Sequence, residues 1–211
     1  MEHFSKEDLG KMPSRYRAHL INSCTGYKSA NLLGSKSGSG ISNLAIFNSV
    51  VHIGSTPPML GFILRPLTVK RNTYANFKES GFFTVNQVNE AIINDAHHTA
   101  ASYDEDISEF AKTDLTESYL DDFQAPYVKE SAIKLGCSYV NEYEIKENGC
   151  LLIIGAIEHV YMPDAILHDD GWLQLDKANT VAINGLDAYA LPQLLARFAY
   201  AKPDEPSKHI L

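Results

Sequence analysis

Polar side chains are dense between Gly40 and Pro66, where Ser42, Asn43, Asn48 and Ser49 interleave with Leu44, Ala45, Ile46, Phe47 and Val50. A strand packed only against its neighbours has no use for so many hydroxyls and amides. Such a segment offers hydrogen-bond partners and an apolar wall together, which suits a flat amphipathic ligand. A flavin ring is one: its pyrimidine edge alternates acceptors with a donor, and its benzenoid end requires apolar contact. Past Pro66, Arg71-Asn72-Thr73 opens a segment of helical spacing. The free N–H groups of a first turn, a hydroxyl and a guanidinium can together hold a phosphate there. Each stretch also has a plainer reading. Ser42 to Ser49 could be an edge strand with its polar side chains in water, and Arg71 with Thr73 an ordinary helix start.

The other reactive residue types point to no dedicated catalytic group. His97 and His98 are adjacent, so on a helix they diverge by about 100° and cannot share a metal as an i, i+4 pair does. His159 and His168 lack cysteines or carboxylates at ligand spacing, and His168-Asp169-Asp170 reads as a solvated turn, so no metal is expected. Cys24, Cys137 and Cys150 lie in apolar patterns, where a thiol behaves as a small hydrophobe. The run from Gly34 to Gly40 has the glycines of a phosphate loop without its Gly-Lys-Ser/Thr ending, and no Gly-x-Gly-x-x-Gly occurs. A nicotinamide donor would therefore have to bind by stacking. Hydride transfer to a flavin needs alignment more than an acid or base, so a missing catalytic dyad is no objection.

The elements that must position these residues read mostly as strands. Ser5 and Asp8 form a capping-box pattern before a short helix that Pro13 ends, and residues 15–24 and 27–34 read as strands. Residues 35–40 are a turn by composition, followed by one strand over 41–53 that Ser55-Thr56-Pro57-Pro58 breaks, and by an apolar run at 59–64. Tyr74, Phe77 and Ser80 stand at helical spacing with Gly81 as the stop, before a strand over 82–88 and a helix over 92–103. The acidic stretch 104–122 reads as a solvated loop and helix face. Strands over 136–145 and 150–162 pair around the turn Glu147-Asn148-Gly149. Asp169-Asp170-Gly171 marks a further turn, 177–182 a short helix, and the polar end from Pro203 is expected to fray.

A chain of 211 residues with 45% hydrophobic residues buries a substantial core, and one domain over 1–211 is the expected organisation. Its 18 basic and 26 acidic residues give −8, with no basic cluster, which argues against nucleic acid and anionic membranes as partners. Three widely spaced cysteines signal neither a disulfide framework nor zinc and fit a reducing cytoplasm; the first residues lack the pattern of a signal peptide.

Three stretches recur together in one known family: the small-residue strand Asn43-Leu44-Ala45-Ile46-Phe47-Asn48-Ser49-Val50, the Pro57-Pro58 break before an apolar strand, and an Arg71-Asn72-Thr73 helix ending in Ser80-Gly81-Phe82-Phe83-Thr84-Val85-Asn86. In order and spacing the chain resembles the flavin-reductase-like, FMN-binding split-barrel proteins. Weaker similarity runs through Phe110 and Ala111, residues 151–157, and Asn184-Gly185-Leu186-Asp187-Ala188-Tyr189. The resemblance implies a mainly β fold with α, an antiparallel split β-barrel with a few short helices. It implies that Asn43, Leu44, Ala45, Ile46, Phe47, Asn48 and Ser49 wrap the isoalloxazine of FMN largely through backbone, and that Arg71 and Thr73, flanking Asn72, hold its phosphate. It further implies a homodimer with flavin at the subunit interface and an NAD(P)H-dependent oxidoreductase acting on flavin or a small acceptor. An FMN-binding electron carrier served by a redox protein is the alternative, and strand composition alone also permits a flavin-free barrel that binds some other ligand. Tyr189, Arg197, Phe198 and Tyr200 are of types enriched at interfaces. The chain departs from commoner members in His52, where a small polar residue is usual, and in its ending from Leu191. His52 and residues 184–189 are the candidates for the rim that orients a nicotinamide.

Overall fold

Leu32 and Leu33 are consecutive and both fully buried, which a strand achieves only when apolar layers cover both of its faces. A computed structural model describes residues 1–211 and shows those layers. Two helices, α1 (Lys6–Lys11) and α2 (Ser14–Cys24), precede β1 (Lys28–Ser29), β2 (Asn31–Lys36), β3 (Ser42–Phe47), β4 (Val51–Ser55) and β5 (Pro58–Leu64). Then come α3 (Asn72–Ser80), β6 (Phe82–Gln87), α4 (Ile93–His98), β7 (Glu117–Ser118), β8 (Tyr127–Val128), β9 (Lys134–Ile145), β10 (Cys150–Tyr161), β11 (Ala182–Asn184) and β12 (Ala188–Ala190). Seven strands form one antiparallel sheet in the order β3-β2-β6-β9-β10-β5-β4. Leu33 joins Phe62, Phe77, Phe83, Val85, Cys137 and Ile153 on the inner face, while Leu32 joins Leu44, Val88, Ile92, Ala96, Val181 and Ile183 outside. The second sheet, β1-β11-β12, contributes to that outer layer.

The single strand expected over 41–53 is two. β3 and β4 follow each other in the chain yet stand at opposite ends of the sheet order, so residues 48–50 must carry the chain across the seam. Side chains replace the ladder there: Ser49 Oγ accepts from the Ile63 N–H at 3.1 Å and donates to its carbonyl at 3.2 Å, and Ser29 Oγ donates to the Val50 carbonyl at 3.2 Å. This use of hydroxyls is one reason the segment is so polar.

Residues 15–24 are helical, not a strand. Ala18, Leu20 and Ile21 do not alternate with polar residues, and Arg17 in the first turns of α2 donates to the carbonyls of Leu9, Gly10 and Met12, tying α2 to the end of α1. The α1 capping box is present. Gly81 ends α3 at φ 80°, a backbone angle glycine adopts without steric cost. The helix expected over 92–103 ends at His98, and 177–182 divides between a 3-10 turn at Leu175–Ala178 and the start of β11. The chain beyond Pro203 folds back, with Ala199 N–H donating to Lys208 and Ile210 N–H to Arg197, both at 2.9 Å. No helix is long and apolar enough to cross a membrane.

Candidate functional site

Arg71 is the N-cap of α3 and gives its helix no side-chain cap. The first N–H bonded within the helix is that of Ala75, to the Arg71 carbonyl at 3.0 Å, so the preceding amides remain available at the positive end of the helix. Arg71 Nε is buried without a hydrogen-bond partner. A buried cationic donor beside free first-turn amides is the donor set that an anion requires. Asn72 faces a cavity of about 440 Å³ shared with Ser42, Asn43, Asn76 and Lys70.

Thr73 has a different task. Its hydroxyl, buried, donates to Asn43 Oδ1 on β3 at 2.8 Å. Asn43 in turn donates through Nδ2 to both carboxylate oxygens of Glu109 at 2.8 Å, and the Leu44 N–H donates to Glu109 Oε2 at 2.8 Å. Glu109 sits in a 3-10 turn at Glu109–Lys112 and is only 5% exposed, the one buried carboxylate of the acidic stretch expected to be solvated. Burial raises its pKa above that of an ordinary glutamate, and the bonds from Leu44 and Asn43 counter only part of this. Ser42 Oγ donates to Glu117 Oε2 at 2.6 Å, so two acidic residues cover the edge of β3 that no strand covers.

Past Leu44 that edge is open. The Leu44 N–H points away from β2, so by strand alternation the Ile46 N–H faces the same way. Leu44 itself belongs to the outer core, and Phe47 meets Phe62 edge-on at 5.3 Å on the inner side; Ala45 and Ile46 are half-buried. Asn48 Nδ2 donates to the Gly185 carbonyl at 3.2 Å, which joins the seam to the turn between β11 and β12. His97 Nδ1 lies 3.0 Å from the Tyr189 hydroxyl, and burial, with a contribution from Asp187, pushes the Tyr189 pKa up to about 12. His52 is exposed on β4 and its Nε2 meets Ser55 Oγ at 3.1 Å. Arg197 bonds to Asp170 and lies over Trp172, Phe198 meets His209 with the rings tilted at 54°, and Tyr200 stands free in solvent.

The residues singled out from sequence therefore divide by role. Arg71 and Asn72 flank the open helix start; Ala45, Ile46, Asn48 and Ser49 lie along the edge and seam; Asn43 and Thr73 point into a buried network instead. Glu109 is the residue of this network that sequence reading missed, as was the contact of His97 with Tyr189, a residue of the 184–189 segment. The signal for Glu109 was its neighbour Phe110, an apolar residue that packs against the outer core in the midst of an acidic run. An amphipathic strand edge ending at an uncapped, arginine-flanked helix fits a ligand with a flat heteroaromatic ring and an anionic tail.

A family model described as the flavin reductase like domain matches residues 28–184. A split-barrel protein of Shewanella frigidimarina NCIMB 400, assigned as a flavin reductase, is 45% identical with a TM-score of 0.92, over 95% of this chain and 100% of that one. Nitrilotriacetate monooxygenase component B of Bacillus cereus shares the fold at 18% identity and a TM-score of 0.81, over 93% and 98% of the two chains. An uncharacterised protein of Methanothermobacter thermautotrophicus is 25% identical over 189 residues, 85% of this chain and 77% of its own. Matched by that family model over residues 28–184, the chain belongs to the flavin reductase like domain family, whose split-barrel members are FMN-binding oxidoreductases.

Proposed function

We propose that residues 1–211 form one domain that holds FMN by its phosphate and acts as an NAD(P)H-dependent oxidoreductase, reducing flavin or a small acceptor, as a cytoplasmic homodimer. The observation that carries this reading is the buried, unpartnered Nε of Arg71 at the uncapped start of α3. The Shewanella relative, assigned as a flavin reductase, supports the reaction class. When bound, FMN supplies the two-electron acceptor chemistry.

The chain's own residues bind and orient. Arg71 and the first-turn amides of α3 neutralise a phosphate, with Asn72 at the edge of the adjoining cavity. The backbone from Ala45 to Ser49 runs along the ring, with the Ile46 N–H free to donate, and Asn48 is held in place by Gly185. Glu109 and Asn43 hold β3 from behind. In the absence of a dinucleotide loop, a nicotinamide is oriented by stacking against the ring and a rim formed by His52 and residues 184–189. Its affinity is then modest and its discrimination between NADH and NADPH poor. Exposed Val51 and Ile53 on the edge strand β4, with Leu195 and Tyr200 near the C-terminus, supply apolar surface for a second copy. The three cysteines stand free, as a reducing compartment would keep them.

Spectral titration with FMN and with riboflavin tests the cofactor assignment. FMN is expected to shift the visible spectrum at lower concentration than riboflavin. Equal affinities would remove the phosphate site. Light scattering at micromolar protein is expected to give the mass of two chains, and a monomer would defeat the dimer.

A further inference from the structure

The chain of bonds from Thr73 through Asn43 to Glu109 has a direction, and the direction depends on charge. An ionised carboxylate only accepts, so Asn43 must present Nδ2 to Glu109, where it lies 2.8 Å from both oxygens. Its Oδ1 is thereby left facing Thr73 and takes the hydroxyl proton at 2.8 Å, with Ser35 Oγ reaching the same oxygen at 3.4 Å. The Thr73 hydroxyl then has only lone pairs to offer any other group. A proton on Glu109 lifts the constraint. One oxygen can donate to Asn43 Oδ1 while the other still accepts from the Leu44 N–H, the amide turns over, and Nδ2 donates to Thr73. The Thr73 proton becomes free for an anion at the start of α3.

We propose that Glu109 is a positioning residue that determines flavin specificity: its ionisation decides whether the Thr73 hydroxyl withholds or donates its proton to the ligand's phosphate, and so sets the preference for FMN over riboflavin. The inference rests on the phosphate site proposed at Arg71–Thr73 and deepens it. Burial raises the pKa of Glu109, and no cation is paired with it. The titratable groups on the elements packed around it are Glu117 on β7, Asp95, His97 and His98 on α4, Tyr74, Lys78 and Glu79 on α3, and Lys112 of its own turn. Their bonds go elsewhere: Glu117 to Ser42 and Tyr119, Asp95 to the Asp114 N–H, His97 to Tyr189, His98 to Tyr103, Tyr74 to Glu142, Lys78 to Tyr139 and Glu142, and Glu79 to the Gly38 N–H, while Lys112 is exposed. Protonation of Glu109 also removes a negative charge behind the site, which acts in the same direction on a phosphate.

Affinities of FMN and riboflavin measured by fluorescence across about pH 5 to 8 test the proposal. The phosphate of FMN titrates near pH 6 itself, so Glu109→Gln, which can donate at every pH, is the reference. The FMN-to-riboflavin affinity ratio of the native protein is expected to be about tenfold below that of Glu109→Gln at the alkaline end, the scale of one charge-assisted hydrogen bond, and to converge on it in acid. Thr73→Val should retain only the pH dependence that the phosphate's own titration and the through-space charge of Glu109 supply, and Thr73→Ser should keep the full dependence of the native protein, so the threonine pair decides even if Glu109→Gln fails to fold. Parallel profiles for native protein and Glu109→Gln overturn the proposal. Retention of the full pH dependence in Thr73→Val overturns it too, leaving only the through-space charge. A ratio near one in every protein at every pH overturns the phosphate site itself as well.

Discussion

One buried face of α3 spans two unlike environments. Toward its C-terminal end Phe77 meets Phe62, Phe83 and Tyr139 with ring centroids 5.6 to 6.0 Å apart, inside the barrel. Toward its start Thr73 and Asn76 enter hydrogen bonds with Asn43 and Ser35. Aromatic packing needs volume and tolerates small shifts, because dispersion is non-directional. The polar end needs particular atoms at particular donors and acceptors, and loses most when one partner is left alone. The barrel interior therefore sets stability, and the polar end fixes the direction of the hydrogen bonds beside the proposed phosphate site.

The largest effect is expected inside the barrel. Phe62→Ala should cost about 3–5 kcal/mol of unfolding free energy in urea, since Phe62 is fully buried and contacts Phe47, Phe77 and Phe83. While the variant remains folded, its preference for FMN over riboflavin should be unchanged. Arg71→Ala inverts this pattern: calorimetry should show FMN weakened by about 1.5–3 kcal/mol and riboflavin nearly unaffected. A comparable loss for both ligands would make Arg71 a structural residue.

A smaller effect is expected in the pH dependence of stability. Burial raises the Glu109 pKa, so the native state binds this proton more tightly than the unfolded chain does. The stability contributed by protonated Glu109 is present below the unfolded pKa and is lost as pH rises through the raised native one. Comparing native protein with Glu109→Gln by urea melts across that window should isolate this loss, and identical curves would show that Glu109 does not titrate there. His52→Ala should be the mildest, within about 0.5 kcal/mol in stability because the side chain is exposed. A changed nicotinamide dependence of flavin reduction in that variant would place His52 at the rim; an unchanged one would make it an ordinary surface histidine.

The same contrast explains what could be read from sequence. The run at 59–64, the helix ending at Gly81 and the hairpin around Asn148-Gly149 follow periodicity and turn chemistry, and the structure has all three. The helix at Ser14–Cys24 escaped because its stabilising contacts are those of Arg17 with the carbonyls of another element, which no local pattern encodes. The break at 48–50 escaped because Ser49 closes the barrel against Ile63, a tertiary task for a residue that also suits a strand. At the site, Arg71 and Thr73 were read as a phosphate-holding helix start; the structure leaves that start uncapped at Arg71 and turns Thr73 inward. The inward turn of Asn43 and Thr73 required a partner far along the chain, Glu109, hidden among acids that are mostly in water.

The central claim concerns the reaction, and rapid anaerobic mixing of the FMN-loaded protein with NADH or NADPH tests it most directly. The flavin absorbance should bleach with either donor, at a rate that saturates only at high donor concentration and differs little between the two. If neither donor bleaches it while dithionite or a reduced redox protein does, the chain is an electron carrier and the reductase reading is wrong.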